Sequence, residues 1–454
     1  MQRFLPVVAL LSAALVSTAV HPDHKDNIEK VKRYFANQAR SGAGGARWEA
    51  GENHLTEKDP EDLKDLCGTV KPTRSQARSN YHPPARVPNF SKQRIQIDTT
   101  FDAASRWQNC PSIKQVRDQG GCGSCWAFAG AETLSDRYCI ASGQTKTKTF
   151  SVQDMLICSG GQNVNYCGGN LARAAYTMAV STGVVSGGDY NSGVGCLPYT
   201  SYSGAAVTAT STAQCANATC ISGYGKTYAQ DKSYATVWYE LGSYYANNNL
   251  SAGGAAASIK NESVVRQIQY ELMTNGPLTV QIKVYNDFFT YKSGVYQHIT
   301  GDYAGGHGMK LIGWGTEGGV DYWLVVNSWG YGWGLNGTVK ILRGVNHLGI
   351  EDYLVTALVD PNLTQPVASA ACNLAGCAGR SQYAMAPANV CSTNFCACYY
   401  YTGVWNAAKN GYDWQQSPQV ISCPATPTAQ AFDASGSVQA CVDKTKIPAC
   451  AASG

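Results

Sequence analysis

The chain has 454 residues, of which 44% are hydrophobic and 15% are charged, and its formal net charge is +4. A chain of this length and composition can bury a full hydrophobic core and still contain several units. The positive charge is too small and too dispersed to favour nucleic acid as a partner. Eighteen cysteines indicate that the protein folds in an oxidising compartment.

The first 19 residues have the pattern of a secretory signal peptide. Arg3 provides the positive end, residues 5–16 are largely apolar, and Ser17 and Ala19 are the small residues before a cleavage point. This run is too short and wrongly flanked for a membrane anchor, and no later run is long enough to span a bilayer. Six Asn-x-Ser/Thr sequences permit glycosylation, at Asn89, Asn217, Asn249, Asn261, Asn336 and Asn362.

Residues 20–94 form the first unit after the signal peptide. Ile28, Val31, Tyr34 and Phe35 recur at helical spacing and predict an amphipathic helix over residues 27–38. The unit is too small and polar to fold stably alone. Its Pro-rich, basic end, residues 81–94, is typical of an exposed and cleavable linker.

Residues 119–128 have the pattern of a nucleophile site. The sequence after Cys125 favours a helix as far as Gly143, whereas the glycine pair and Ser124 before it are typical of a loop and a cap. Cys125 is therefore predicted to lie at a helix N-terminus. There the unpaired N–H groups and the helix dipole favour the thiolate over the thiol.

The Cys-x-x-Cys pair formed by Cys122 and Cys125 has three other interpretations: a thioredoxin-type redox motif, half of a zinc site, or a structural disulfide beside a spare thiol. The redox motif requires a preceding βαβ pattern, and a zinc site requires a second ligand pair at the right spacing. The sequence has neither, so we interpret Cys125 as a nucleophile and predict no metal and no cofactor.

Residues 122–126 match the local signature of papain-type cysteine proteases, and the chain resembles the cathepsin B group of that family. The similarity extends to residues 117–120 and 135–140, and it covers most of residues 30–357. Residues 46–53 and 63–69 are similar to the propeptide of this group. The resemblance implies a zymogen with an inhibitory propeptide at 20–94, which lies along the cleft, and a peptidase domain at 95–360.

Catalysis by a thiol requires an imidazole that accepts and returns a proton. Outside the removable part only His298, His307 and His347 remain. His307 lies among glycines at the start of an apolar, strand-like run, while the other two lie in polar turns. The residues alone leave all three histidines as candidates.

The resemblance decides between the three histidines. The sequence that starts at Asn327 is similar to the third catalytic residue of the family followed by the tryptophan that shields the Asn-His hydrogen bond. It implies that His307 is the base and that Asn327 orients the imidazole. It also implies that the Gln119 amide and the Cys125 backbone N–H face the oxygen of the tetrahedral intermediate, where one donor is typically worth about 10²–10³ in rate.

The interval from Cys125 to His307 is longer than the roughly 130–150 residues typical of papain. In the cathepsin B group an extra loop covers part of the cleft, and two adjacent histidines in it bind the C-terminal carboxylate of the substrate. Here residues 196–199 resemble the start of that loop, but residues 200–214 contain no histidine. We therefore expect mainly endopeptidase action, with dipeptide trimming as the alternative.

Eight cysteines remain between residues 110 and 220 once Cys125 is set aside, which is an even number. Each family cysteine that is missing here also lacks its partner, as expected of a stable oxidised protein. The disulfides implied by the resemblance are Cys110–Cys139, Cys122–Cys167, Cys158–Cys215 and Cys196–Cys220.

The resemblance implies substrate-binding positions at Gly123, Gly169, Asn170, Gly306, Trp329 and Tyr353. Asn170 stands where the family has a second cleft glycine. Tyr353 stands where it has a glutamate, at the base of the pocket for the substrate's second residue. Without that charge, we expect poorer acceptance of Arg in this pocket and better acceptance of bulky apolar or aromatic side chains.

Periodicity predicts an α+β fold. Helical sequence dominates residues 126–176, and short strand-like runs occupy 277–285, 307–314, 322–327, 338–342 and 353–359. We expect a papain-like, two-lobed fold with the site between a helical lobe and an antiparallel β-barrel lobe. Residues 245–257 have the composition of a surface insertion.

Residues 361–454 form a disulfide-rich C-terminal extension by composition, with aromatic residues at 399–401, 405 and 414. It is either a binding module for carbohydrate or a protein surface, or a passive extension, and the second interpretation is slightly favoured. Its eight cysteines are Cys372, Cys377, Cys391, Cys396, Cys398, Cys423, Cys441 and Cys450. Eight cysteines allow 105 different sets of disulfide pairs.

The sequence thus predicts a secreted or lysosomal cysteine endopeptidase that hydrolyses peptides or proteins through an acyl-enzyme thioester. A different class remains open: a catalytically weak or inactive protein that keeps the fold as a binding scaffold or acts through its Cys-rich extension. The presence of Gln119, Cys125, His307 and Asn327 argues against that alternative.

Overall fold

The computed structural model describes residues 19–42, 44–45, 47–70, 96–159, 167–202, 215–242 and 261–366, without the side chains of 261–263, and the backbone of five strands beyond residue 384. The predicted signal peptide before residue 19, the predicted linker at 81–94, the predicted insertion at 245–257 and most of the His-less loop, residues 203–214, lie outside the described residues. Within the described part, none of the helices is both long and apolar enough to cross a membrane.

Eight α-helices lie in the described chain. They are α1 Pro22–Ser41, α2 Pro60–Leu63, α3 Ala103–Arg106, α4 Cys125–Ala141, α5 Val152–Cys158, α6 Arg173–Ser181, α7 Tyr228–Asp231 and α8 Asn261–Asn275. Helix α1 is longer than predicted. His21 and Pro22 start it, and Gly42, with a left-handed φ of 68°, ends it beyond the apolar stripe.

Strands of residues 48–359 are β1 Trp48–Ala50, β2 Thr69–Val70, β3 Phe101–Asp102, β4 Asn170–Leu171, β5 Ala235–Leu241, β6 Leu278–Tyr285, β7 Tyr291–Tyr296, β8 Tyr303–Glu317, β9 Val320–Val326, β10 Thr338–Leu342 and β11 Leu354–Val359. The five predicted strands are confirmed. The sequence pattern did not reveal β5, because all seven of its residues are buried and no polar alternation marks them.

Nine of these strands form one sheet in the order β1-β7-β10-β9-β8-β6-β11-β5, with β3 paired to β8. All neighbours are antiparallel except β7 and β10. Strand β8 lies in the middle and pairs along its length with β6 and β9. Because strands on both sides hold the backbone of β8 in place, the side chains near its start have fixed positions.

The predicted helical lobe is also present. Helix α4 is its axis, since fourteen of its seventeen residues are buried. A Cβ at Gly130 would lie 2.5 Å from the Cβ of Ala175, so glycine allows α6 to pack closely on α4. The α+β, two-lobed architecture predicted from the sequence is thus confirmed, with α4 at the boundary between the lobes and in contact with β8.

Four disulfides brace the helical side of the molecule. They join Cys110 to Cys139, Cys122 to Cys167, Cys158 to Cys215, and Cys196 to Cys220. These are the four pairs that the resemblance implies. Within the described part of the chain, Cys67 and Cys125 are the cysteines without a disulfide partner.

Residues 22–70, called here the N-terminal segment, pack along the sheet side and then enter the groove between the lobes. Trp48 and Ala50 are buried where β1 pairs with β7. The segment ends in β2, which pairs in parallel with β4 on the helical side. It therefore bridges both lobes.

Beyond residue 384 the backbone forms a three-stranded sheet of β12 Met385–Pro387, β13 Asn394–Asn406 and β14 Gly411–Ser422, and a pair of β15 Gln430–Asp433 and β16 Ala440–Asp443. The disulfides predicted for this extension lie outside what is described.

Candidate active site

Cys125 is the first residue of α4 and is fully buried. At that position the backbone N–H has no acceptor within the helix. The loop before it is held by Gly123, whose N–H donates to the carbonyl of Cys167 at 3.0 Å. Tyr199 also supports this loop: its hydroxyl donates to the Gln119 carbonyl at 2.8 Å and lies 3.1 Å from Ser124 Oγ.

The second part of the site lies on the sheet. His307 is in β8, and Asn327 directly follows β9, so the pairing of these two strands brings the residues together. His307 Nε2 lies 2.7 Å from Asn327 Oδ1, and that oxygen also accepts the Ser328 N–H at 2.8 Å. The Trp329 ring covers the pair, with its centroid 4.7 Å from that of His307.

This geometry fixes the role of each nitrogen of the His307 ring. Since Asn327 Oδ1 can only accept, His307 Nε2 must carry a proton. In the neutral ring, Nδ1 is then the basic nitrogen. Within the described residues no other hydrogen bond engages His307 Nδ1, so this nitrogen is available to the Cys125 thiol, with which the imidazole interacts.

Burial raises the pKa of the Cys125 thiol, but the His307 imidazole, the Thr69 hydroxyl and the Gly308 N–H together lower the pKa by more. The Thr69 hydroxyl oxygen is 2.9 Å from Cys125 Sγ. The net pKa lies below the ordinary value for a cysteine. Cys125 is thus a thiol that gives up its proton more readily than a free one.

The other two candidate histidines are elsewhere. His298 Nδ1 lies 3.0 Å from Asp287 Oδ1, and His347 Nε2 accepts the backbone N–H of His298 at 3.0 Å. Burial lowers the pKa of His347 to about 4. These two rings stabilise a turn around Asp287, and His307 is the histidine that lies with Asn327 and influences Cys125.

Gln119 is buried beside the thiol loop with its amide oriented by neighbours. Its Oε1 accepts the Ser328 hydroxyl at 2.7 Å. Its Nε2 therefore points the other way, and donates to the carbonyls of Cys122 at 2.7 Å and of Leu66 at 3.0 Å. Leu66 belongs to the N-terminal segment. A backbone carbonyl of that segment therefore accepts a hydrogen bond from the Gln119 amide, which the resemblance assigns to the oxygen of the tetrahedral intermediate.

The remainder of the N-terminal segment follows the groove through backbone contacts. The Gly68 carbonyl accepts the Asn170 N–H at 2.9 Å, and Gly68 also forms a parallel bridge with Gly306. A Cβ at Gly169 would lie 2.4 Å from the Gly68 oxygen, and one at Gly306 would lie 2.1 Å from the Thr69 oxygen. The two glycines are therefore required for a bound chain to approach this closely.

Cys67 lies between Leu66 and Gly68 and is partly buried over the site. Its Sγ would be 3.6 Å from a Cβ at Gly305. Burial first, and then the charge of Cys125, raises its pKa well above the ordinary value. Two thiols in one groove thus have opposite pKa shifts.

Tyr353 directly precedes β11 and is buried. The structure adds an acidic group that the sequence did not reveal. The Tyr353 hydroxyl donates to Glu240 Oε1 at 2.5 Å, and Arg173 Nη1 lies 3.6 Å from the same oxygen. A carboxylate from β5 is therefore in contact with the Tyr353 hydroxyl, and an arginine balances its charge.

Several residues at the site were not predicted. They are Thr69, Tyr199, Glu240 and Ser328. Ser328 directly follows Asn327 and could have been found from that position; the other three depend on contacts across the fold. The described residues contain no group of three or more His, Cys, Asp or Glu side chains able to hold a metal ion.

The chain is similar in sequence to known proteins. A profile described as "Papain family cysteine protease" matches residues 97–358. "Gut-specific cysteine proteinase" of Caenorhabditis elegans is 42% identical over 261 residues, which are 57% of this chain and 73% of that protein. "Cathepsin B-like cysteine proteinase 3" of the same organism is 42% identical over 262 residues, which are 58% of this chain and 66% of that protein.

The fold comparison extends the match to a precursor. The solved structure "proCathepsin B S9 from Trypanosoma congolense" is similar with a TM-score of 0.55 and 30% sequence identity. The similarity covers 73% of this chain and 97% of that chain.

Proposed function

Because the chain belongs to the papain family of cysteine proteases, we propose that Cys125 is its nucleophile, His307 its general base and acid, and Asn327 the residue that orients the imidazole. The protein is cathepsin B-like and is made as a proenzyme. We assign the proenzyme an inhibitory propeptide at residues 20–94, a peptidase domain at 95–360 and a C-terminal extension at 361–454.

In the first half of the reaction, Cys125 passes its proton to His307 Nδ1, and the thiolate attacks the carbonyl carbon of the scissile bond. The carbonyl oxygen becomes an oxyanion, which accepts hydrogen bonds from Gln119 Nε2 and the Cys125 N–H. The C–N bond then breaks, and the departing amine takes the proton from His307. The product is a thioester between Cys125 and the N-terminal part of the substrate.

In the second half, neutral His307 takes a proton from a water molecule, which attacks the thioester carbonyl. The same two donors stabilise the second oxyanion. The C–S bond breaks, and the proton returns to the sulfur, so that the enzyme and a free carboxylic acid remain. Asn327 keeps the ring in one orientation through both halves, and Trp329 shields that hydrogen bond from water.

The observation that supports this proposal most strongly is the contact between Gln119 and Leu66. A carbonyl oxygen already lies 3.0 Å from the proposed oxyanion donor, within hydrogen-bond distance. Because that carbonyl belongs to the propeptide, the same contact accounts for the proenzyme being blocked. We place the cleavage that releases the block in the predicted linker, residues 81–94.

We propose endopeptidase activity rather than dipeptide trimming. The sequence from Cys196 to Cys220 contains no histidine, so it lacks the carboxylate-binding pair of the cathepsin B group. The signal-like N-terminus and the disulfides support a secreted or lysosomal location. We assign no catalytic part to the C-terminal extension.

The test uses the full chain after acid processing and two peptides that differ only in a free or amidated C-terminus. We expect both to be cleaved at internal bonds with similar kcat/KM, and an epoxide inhibitor or Cys125→Ala to abolish both reactions. A strong preference for the free C-terminus, with dipeptides as products, would overturn the endopeptidase assignment. No turnover of any peptide would instead favour the scaffold interpretation.

A further inference from the structure

Gln281 is a buried polar residue that the proposed mechanism does not use. It lies in the middle of β6 and is 1% exposed. Within the described residues its Oε1 has no hydrogen-bond partner. A buried acceptor without a donor is uncommon and requires an explanation.

Strand register places this residue on the cleft face of the sheet. Gln281 is directly opposite Gly308 on β8, and directly opposed residues of antiparallel strands share a face. A Cβ at Gly308 would lie 3.0 Å from Thr69 Oγ1 and 3.4 Å from the Cys125 carbonyl oxygen. The face that carries Gln281 is therefore the one covered by the propeptide beside the nucleophile.

The same register links Gln281 to the predicted pocket base. Leu354 is opposite Val280, so Tyr353, one residue earlier, continues the row that contains Gln281. Gly308, Gln281 and Tyr353 thus follow one another across three strands. Because a Cβ at Gly306 would lie only 3.6 Å from Gln281 Nε2, the carboxamide lies directly beside the glycine wall of the cleft.

The opposite wall provides a second unpaired polar atom of the complementary type. Asn170 Oδ1 accepts the Leu171 N–H at 2.8 Å, while Asn170 Nδ2 is buried and has no acceptor among the described residues. Asn170 pairs with Thr69, and Gly306 contacts Thr69 from the other side. A substrate chain that takes the place of Thr69 would therefore lie between the unpaired acceptor of Gln281 and the unpaired donor of Asn170.

This inference rests on the proposed function. We propose that Gln281 determines which side chain is accepted at the second substrate residue before the scissile bond. It selects a primary amide, that of Asn or Gln. The substrate N–H₂ donates to Gln281 Oε1, and the substrate amide oxygen accepts from Asn170 Nδ2. The carboxylate of Glu240 is already balanced by Arg173, so a cationic side chain gains no unpaired counter-charge. The apolar preference expected from Tyr353 alone is replaced by a polar one.

The experiment compares processed full-length enzyme on two peptide pairs of matched shape, with Asn or Leu and with Gln or Met at the second position. We expect the wild type to favour each amide, and Gln281→Met to lose that preference by at least about tenfold in the kcat/KM ratio, since a site built for hydrogen bonding discriminates strongly. Thr356→Val is the matched control. It removes a different kind of buried polar atom, a hydroxyl that also has no partner among the described residues, and its side chain lies on the face of β11 opposite to that of Tyr353.

A second variant guards against misfolding of the first. Gln281→Glu keeps the acceptor and adds a charge, and should shift the preference from the amides to Lys and Arg. Equal preference of wild type and Gln281→Met for Leu over Asn would overturn this assignment while leaving the protease assignment intact. Failure of the wild type to cleave any of the four peptides would instead count against the proposed function.

Discussion

The groove contains two thiols without a disulfide partner in the described chain, and their pKa values move in opposite directions. Cys125 is fully buried and Cys67 is partly buried, and loss of contact with water raises the pKa of any thiol. Cys67, on the propeptide, has no group that offsets burial, and the charge of Cys125 adds to the effect. Cys125 has three such groups, of which His307 is the strongest.

The comparison shows that burial alone does not make a cysteine reactive. What distinguishes Cys125 is a set of partners that come from distant parts of the chain: an imidazole from β8, a backbone N–H from the same strand and a hydroxyl from the propeptide. The last of these is absent once the propeptide has left. The reactivity of the thiol must therefore differ between the proenzyme and the processed enzyme.

The largest expected effect separates the two thiols by mutation. Cys125→Ala should reduce peptide hydrolysis by about 10⁵–10⁶-fold, as removal of a nucleophile does in other acyl-transfer proteases. Cys67→Ala should leave kcat/KM of the processed enzyme unchanged, because residue 67 leaves with the propeptide. The measurement is kcat/KM on one peptide after processing. A lower kcat/KM in both variants would mean that Cys67 takes part in catalysis, contrary to this prediction.

The next effect tests the orientation of the imidazole. Asn327→Ala removes the acceptor that lies 2.7 Å from His307 Nε2, so the ring can rotate away from the thiol. We expect kcat/KM to fall by about 10²-fold, the typical cost of a misplaced catalytic group. Asn275→Ala is the control, since that amide bonds to Glu271 far from the site. Equal activity of both variants would show that packing by Trp329 alone holds the ring.

A smaller effect concerns the propeptide hydroxyl. Thr69→Val in the proenzyme removes a hydrogen bond that lowers the pKa of Cys125. The pH midpoint for alkylation of Cys125 should rise by about one to two units, because a hydrogen bond to a charged group is worth about 1.5–3 kcal/mol. The experiment is done in a Cys67→Ala background so that a single free thiol of the groove reacts. After processing, the variant and the parent should have identical midpoints.

Local sequence was sufficient for the parts of this site that depend on neighbours along the chain. Cys125 follows from its own flanking residues, and the resemblance that implies Asn327 rests on a short motif in which the tryptophan follows two positions later. Five of the nine strands of the main sheet were predicted because glycine turns separate short apolar runs. In each case the information lies within about ten residues of the feature.

The contacts that sequence could not provide join residues far apart. Glu240 reaches Tyr353 across 113 positions, and its strand β5 is buried along its whole length, so no polar alternation marked it. Thr69 contacts Cys125 across 56 positions. Gln281 was passed over for the same reason, since its place beside Tyr353 depends on the register of β6 against β11. Such contacts can be predicted only when the register of the sheet is known.

The smallest expected effect lies at the other end of the propeptide. His24 is fully buried on α1. Burial, and then the charge of His21, lowers its pKa below 6.5. The docked propeptide therefore holds His24 neutral, while the released one binds a proton as the pH falls below 6.5. The contribution of His24 to docking is thus fully present above that pH and is lost below it, by at most about 1.4 kcal/mol per pH unit.

His24→Leu should make propeptide docking less dependent on pH, whatever it does to docking at neutral pH. The measurement is the alkylation rate of Cys125 in intact proenzyme, as the ratio of variant to wild type at each pH from 7 to 4, so that titration of the thiol itself cancels. We expect that ratio to fall severalfold on acidification, with His82→Leu in the predicted linker as the control. A ratio independent of pH would mean that His24 is not linked to release, and would leave His54, whose pKa burial also lowers, as the group to test.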